Sequence, residues 1–188
     1  MEKKQMKKYE LTSETKVING VELHRIKALN SFGNIKKGNL GGWIESGKNL
    51  SQCGNAWVGD NAAVCGDAMV YDNAMVGGNA IIYENATIRG NAVVSGKEDY
   101  IVFKNWWSSG RYFTWTRSNN KWKVGCFMGT GEELIAKAYK DSEKSGREYE
   151  RVVKYVNDIL KEEDNDNGNR NKCEDCPYEV FDNMRDKE

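Results

Sequence analysis

Trp106 and Trp107, followed by Ser-Ser-Gly and then Arg111, are residues whose types and spacing suit the capture of a planar, charged molecule. Aromatic planes stack bases or guanidinium groups, and a neighbouring arginine clamps a phosphate through paired N–H donors. The same residue types anchor protein interfaces. Tyr71 and Arg89 form a second pair of this kind. Cys173 and Cys176 have the spacing of half a zinc site, but Cys53, Cys65 and Cys126 are scattered singly and no second CxxC completes it. No metal and no other cofactor is therefore expected, and neither a phosphate loop nor a dinucleotide fingerprint occurs. His24 is the only histidine, and it falls in a segment that reads as strand, where a structural role is expected.

The elements that must position these residues are dominated by a six-residue repeat between Asn55 and Gly96. Its hexads begin at Asn55, Asn61, Asp67, Asn73, Asn79, Asn85 and Asn91; each has Ala second and Val or Ile fourth. On an extended chain the second and fourth residues point to one side and the third and fifth to the other. The junction between hexads carries Gly, Asp, Glu or Asn, types that tolerate left-handed backbone angles and bond to their own main chain. Each hexad is thus a very short strand plus a corner, and no helix fits apolar pairs at i and i+2.

This pattern resembles the hexapeptide repeat of left-handed parallel β-helices, over about residues 43–96. The resemblance implies three hexads per triangular coil, so that residues 18 apart stack, with Asn61 over Asn79, Asp67 over Asn85 and Asn73 over Asn91. It also implies a homotrimer. Among the fourteen outward positions only Arg89 is charged. Such apolar faces on a short solenoid argue for self-association, with Trp57, Met75, Val93, Ile81 and Tyr83 as the expected trimer interface. The alternative is that flanking segments of the same chain cover them.

Outside the repeat, residues 8–29 read as a hairpin turning at Asn19-Gly20. The Gly-rich stretch 33–45 reads as an entry coil with Trp43 as a lid. Residues 100–103, 111–117 and 121–127 read as strands, with Phe113 and Trp115 on one face. Thr130-Gly-Glu-Glu133 is a capping box opening a helix, residues 144–146 are expected to break it, and a second helix carries Tyr149, Val152, Val153, Val156, Ile159 and Leu160. The expected division is 1–42 hairpin and entry cap, 43–97 hexapeptide β-helix, 98–162 α+β module, and 163–188 a disordered acidic and polar tail with the CxxC.

Lys+Arg and Asp+Glu are both 28 in 188 residues. That balance does not advertise duplex nucleic acid as a partner. The basic start at residues 2–8 reads as a solvated tail. No apolar run reaches transmembrane length and no signal peptide is evident. Five cysteines in a scattered, odd set fit a reducing cytoplasm.

Leu-Gly-Gly-Trp-Ile-Glu at 40–45 and Gly-Cys-Phe-x-Gly-Thr at 125–130 resemble motifs of a group of phage and prophage proteins from Gram-positive bacteria, over about residues 8–160. The expected fold is mainly β: a short left-handed parallel β-helix followed by a small β-sheet and two α-helices. The resemblance implies a non-enzymatic, trimeric binding protein in the cytoplasm of a bacterial host. It would antagonise a host defence system by sequestering a small anionic, nucleotide-like ligand or by occluding a host protein, with Trp106, Trp107, Arg111, Tyr71 and Arg89 as candidate contacts. The alternatives are a hexapeptide-type acyltransferase, for which His24 is the available general base, or a virion-associated component. Zinc chemistry of the carbonic-anhydrase type would need three histidines per metal.

Overall fold

The computed structural model describes residues 7–170, and among them no helix is long and apolar enough to cross a membrane. Asn19 and Gly20, both at positive φ (49° and 81°), reverse the chain between β1 (Tyr9–Ile18) and β2 (Val21–Ala28), which pair antiparallel. β3 (Leu40–Ile44) pairs antiparallel with β2. Seven two-residue strands follow, one per hexad: β4 (Trp57–Val58), β5 (Ala63–Val64), β6 (Met69–Val70), β7 (Met75–Val76), β8 (Ile81–Ile82), β9 (Thr87–Ile88) and β10 (Val93–Val94). β11 (Tyr100–Lys104), β12 (Tyr112–Thr116), β13 (Lys121–Val124) and β14 (Phe127–Gly129) then form an antiparallel sheet, followed by α1 (Gly131–Asp141) and α2 (Glu143–Arg170).

These elements correct the expected mainly-β fold with its left-handed β-helix. The structure is mixed: a five-stranded sheet of mixed direction (β1-β2-β3-β5-β8), two small parallel sheets (β10-β7-β4 and β6-β9), one antiparallel sheet and two helices. Two physical reasons account for the difference. The hexad strands are only two residues long, so they do not fuse into the continuous faces of a regular helix. The antiparallel hairpin also adds itself to one face, and the first layer is out of phase with the rest. Trp43 stacks on Ala63 and Leu50 on Val70, each 20 residues on, whereas Trp57 on Met75, Ala63 on Ile81 and Met69 on Thr87 are 18 apart.

The side-chain pattern does follow the repeat. The second and fourth residues of all seven hexads are at most 1% exposed and make one core cluster. The last position of the hexad takes the left-handed backbone, at Asp60, Asp72 and Glu84 as well as at Gly66, Gly78 and Gly90, which explains the residue types there. One corner carries an amide ladder, Asn55 to Asn73 at 3.0 Å and Asn73 to Asn91 at 3.3 Å.

The lower end of this stack is closed by Lys8 and Tyr9. Lys8 is only 6% exposed; its ammonium donates to the Ala56 carbonyl at 2.8 Å and lies 5.0 Å from the Phe32 ring centre. The Tyr9 hydroxyl donates to the Leu50 carbonyl at 2.6 Å. This overturns the reading of residues 2–8 as wholly solvated, because the lower layer needs groups that bond to its open carbonyls. The upper end is closed by the C-terminal module, whose Thr114 hydroxyl accepts the Thr87 N–H and whose Ser118 hydroxyl accepts the Val93 N–H.

Within that module Phe113, Trp115 and Trp122 pack with Leu134, Ala138, Tyr149, Val153 and Val156. Thr130 and Glu133 form the expected capping box. The helix break falls at Ser142, ahead of residues 144–146, which lie inside α2. Gly146 instead lets α1 and α2 approach closely, since a Cβ there would come within 2.3 Å of the Tyr139 ring. α2 continues through residues 163–170, where the tail was expected to begin; the remainder of that tail lies outside the described residues.

Candidate functional site

Asn105 organises the loop that carries the tryptophan pair. Its N–H donates to the Arg111 carbonyl and its carbonyl accepts the Gly110 N–H, while its side-chain oxygen accepts from the Ser108 N–H at 3.0 Å and hydroxyl at 2.9 Å. Its amide nitrogen donates to the buried Tyr149 hydroxyl at 2.9 Å. The loop is therefore held at its base and tied to α2. Burial pushes the Tyr149 phenol above its usual pKa, partly offset by the Asn105 bond.

The two tryptophans of this loop meet edge-to-face, with ring centres 6.1 Å apart, but differ sharply in burial. Trp106 is 73% exposed at the tip, whereas Trp107 is 8% exposed. Trp107 stands edge-to-face on Tyr149 at 5.0 Å and on Phe113 at 6.1 Å. Its indole nitrogen is buried with no hydrogen-bond partner among the described residues. Trp107 is core, and of the two only Trp106 is largely open to solvent.

Arg111, exposed, closes the loop and lines a cleft of about 390 Å³ together with Ser108, Ser109 and Lys137. Val124, Phe127, Leu134 and Ala138 give the cleft an apolar floor, and Asp141 supplies one carboxylate. The sequence singled out Arg111 but not Lys137, which carries no local signal beyond its place on the first helix.

Tyr71 and Arg89 do meet, with the guanidinium 5.2 Å from the ring centre. Arg89 is already engaged by Asp72 at 2.6 Å, and that bond holds it above its ordinary pKa. Burial raises the Tyr71 phenol. The pair sits at a corner of the stack near Lys123, whose ammonium is pushed down by burial and then by the Arg89 charge. The Arg89 guanidinium is thus braced by a carboxylate of its own corner.

A larger groove of about 1190 Å³ opens on the face of β5 and β8. Leu23, Trp43, Ala63 and Cys65 form a cluster in which the hairpin covers the lower part of this face; Ile81 and Tyr83, one layer up, remain exposed. The groove runs between them, the hairpin tip at Ile18 and Val21, and β11 at Tyr100 and Val102. Of the other apolar positions expected between chains, Trp57 is 3% exposed because Phe32 packs edge-on at 5.6 Å. Met75 is half-buried and Val93 is exposed. Flanking segments of the same chain thus cover part of the outward surface, and leave Val93, Ile81 and Tyr83 open.

His24 stands in β2 opposite Thr15 and Ile44 and lines neither opening. No group of three or more metal-ligating side chains occurs among the described residues; Cys173 and Cys176 lie outside them. No protein-family model matches the chain, and no curated protein matches it.

Proposed function

We propose that this chain is a non-catalytic binding protein that takes a small anionic, nucleotide-like ligand in the cleft beside the 105–111 loop. The observation that carries the reading is the convergence of Arg111, Lys137 and Ser109 on one cleft with an apolar floor. At about 390 Å³ the cleft falls within the usual range for small-molecule sites. Guanidinium and ammonium groups with hydroxyls suit phosphate oxygens, and the apolar floor suits a base. In this reading the protein acts in the cytoplasm of a bacterial host, is phage or prophage encoded, and antagonises a host system by withholding such a ligand. Val93, with Met75 beside it in the same sheet, is the surface through which we propose it forms a homotrimer.

The exposed Trp106 favours a second reading, in which the loop tip anchors on a host protein. Titration of the protein with ATP and with a cyclic dinucleotide, followed by calorimetry, tests the first. Arg111→Ala and Lys137→Ala should each weaken binding at least tenfold while leaving the melting temperature within about two degrees. Failure of both probes to bind at millimolar concentration, or binding indifferent to both substitutions, would overturn it.

A further inference from the structure

The groove over Ile81 and Tyr83 has the form of a strand slot. Elsewhere in the stack each layer is roofed by the next, as where Ala63 and Cys65 donate to the Ala80 and Ile82 carbonyls. In the top layer the amides of Thr87 and Val93 are taken by Thr114 and Ser118, and those of Ser95 and Gly96 by Asp99. On the remaining face β8 is the last strand of its sheet, and the Tyr100 hydroxyl donates to its Ile81 carbonyl at 2.9 Å. β11, the opposite wall, is likewise an edge strand. Two open edges face one apolar groove, an arrangement that natural proteins ordinarily cover.

The volume fits an extended segment. A residue in a packed strand takes up about 160 Å³, from ~3.4 Å of rise, ~4.8 Å between strands and ~10 Å between sheets. The groove, at about 1190 Å³, therefore has room for a strand of roughly seven residues.

The chain itself carries a matching segment within reach. Beyond Leu160 the apolar side chains gather at Tyr178, Val180 and Phe181, with Met184 after them, and aromatic and β-branched types favour strands. Arg117 links the far part of α2 to the groove: its guanidinium bonds Glu163 at 2.7 Å and the Glu98 carbonyl at 3.0 Å, and neighbouring Lys97 lines the groove. From Glu163 the helix carries the chain about 10 Å to Arg170, and the seven residues before 178 then span up to ~23 Å. That is enough to double back. Lys97 on the rim is opposite in sign to Glu179 and Asp182, and Arg185 and Lys187 are opposite in sign to the lining residues Glu45 and Glu84.

We propose that residues 178–181 of this same chain occupy the groove as an added strand along the edge of β11, with Tyr178 and Val180 seated against Ile81 and Tyr83. The tail then shields a surface that would otherwise recruit strands from other molecules, and the proposal is independent of what binds at the Arg111 cleft.

The test uses a fluorescent peptide of residues 171–188, kept reduced, and the full-length chain. Fluorescence anisotropy should show the peptide binding a Val180→Asp/Phe181→Asp full-length variant at least tenfold more tightly than the wild type, whose own tail competes. Adding Ile81→Asp, or Tyr83→Asp as a second groove variant, should abolish that binding. Equal binding to wild type and tail variant, or binding to neither, would overturn the proposal. So would a fall in solution mass on substituting Val180 and Phe181, which would assign the tail to the groove of a second copy.

Discussion

The Thr87 N–H donates to the Thr114 hydroxyl at 3.0 Å, joining the top layer of the repeat to the middle of the C-terminal sheet. Thr114 is buried and Thr87 partly so, so loss of the acceptor leaves a partly shielded amide without its protein partner. Thr114→Val keeps the shape and removes the acceptor. It should lower unfolding stability by about 1–3 kcal/mol in a urea titration, and Thr114→Ser should restore most of the loss. A valine variant as stable as wild type would mean that the two parts are held together by apolar contact alone.

Ala74 lies at the second position of its hexad with no exposed surface. Ala74→Leu must force extra methylenes into layers that cannot separate without breaking the bonds from Trp57 to Ala74 and from Met75 to Ala92. Overpacking of this kind costs about 1–3 kcal/mol, visible as a drop of several degrees in melting temperature. A melt within a degree of wild type would show that the core has slack.

The two tryptophans should respond in opposite ways. Trp106→Ala should leave stability within about 0.5 kcal/mol, since it is largely exposed. Trp107→Ala should cost about 3–5 kcal/mol by opening a cavity between Phe113 and Tyr149. Trp107→Phe, which removes the unpartnered indole N–H, should cost much less than Trp107→Ala. Chemical denaturation of the three variants side by side decides the matter.

Lys8 should make stability depend on alkaline pH. Burial lowers its pKa to about 8 in the fold, against about 10.4 in an unfolded chain. Below pH 8 both states hold the proton and the cost of burying the charge is fully present. Between about pH 8 and 10.4 the unfolded state binds more protons than the folded one, so stability rises with pH by at most about 1.4 kcal/mol per unit. Tyr9 and Tyr100, pushed up to about 12 by burial, act in the opposite sense above pH 10, where the unfolded phenols ionise first. Subtracting the profile of Lys8→Met removes those contributions. The difference, wild type minus variant, should climb from pH 8 to 10; a flat difference would show that the carbonyls around the ammonium fully replace its hydration.

Self-association can be read directly. Sedimentation of the wild type should give three times the chain mass at micromolar concentration, and Val93→Asp should reduce it to one. A monomer in the wild type would mean that Val93 and Met75 are solvent-facing in solution.

Local signals were legible in the chain and distant ones were not. Asn19-Gly20 marks its turn because the positive φ angles belong to those two residues alone. The Ala and Val or Ile positions mark the core because alternation is a property of the strand itself. Thr130 and Glu133 mark the start of α1 by bonding each other across three residues. The burial of Lys8 depends instead on a carbonyl 48 residues away, and nothing near it in sequence announces it. Trp57 and Trp107 illustrate the same limit. One meets Phe32 from the entry segment and the other Tyr149 from a helix, so both were candidate surface residues until the chain was folded. Period alone likewise could not show that the hairpin would join the β5 and β8 face and make that sheet mixed.

The offset of eighteen residues between stacked strands, as from Met75 to Val93, restricts how this chain can change in length. Adding or deleting a single hexad ahead of Thr87 would carry Thr87 and Thr114 round together and bring the C-terminal module over a different face from the hairpin, so that β11 would no longer face the hairpin tip across the groove. Three hexads added together would leave every downstream contact in phase and simply make the column taller. Insertions tolerated by this protein should therefore come in whole storeys, and length variants that differ by six or twelve residues should lose the groove between the hairpin and β11.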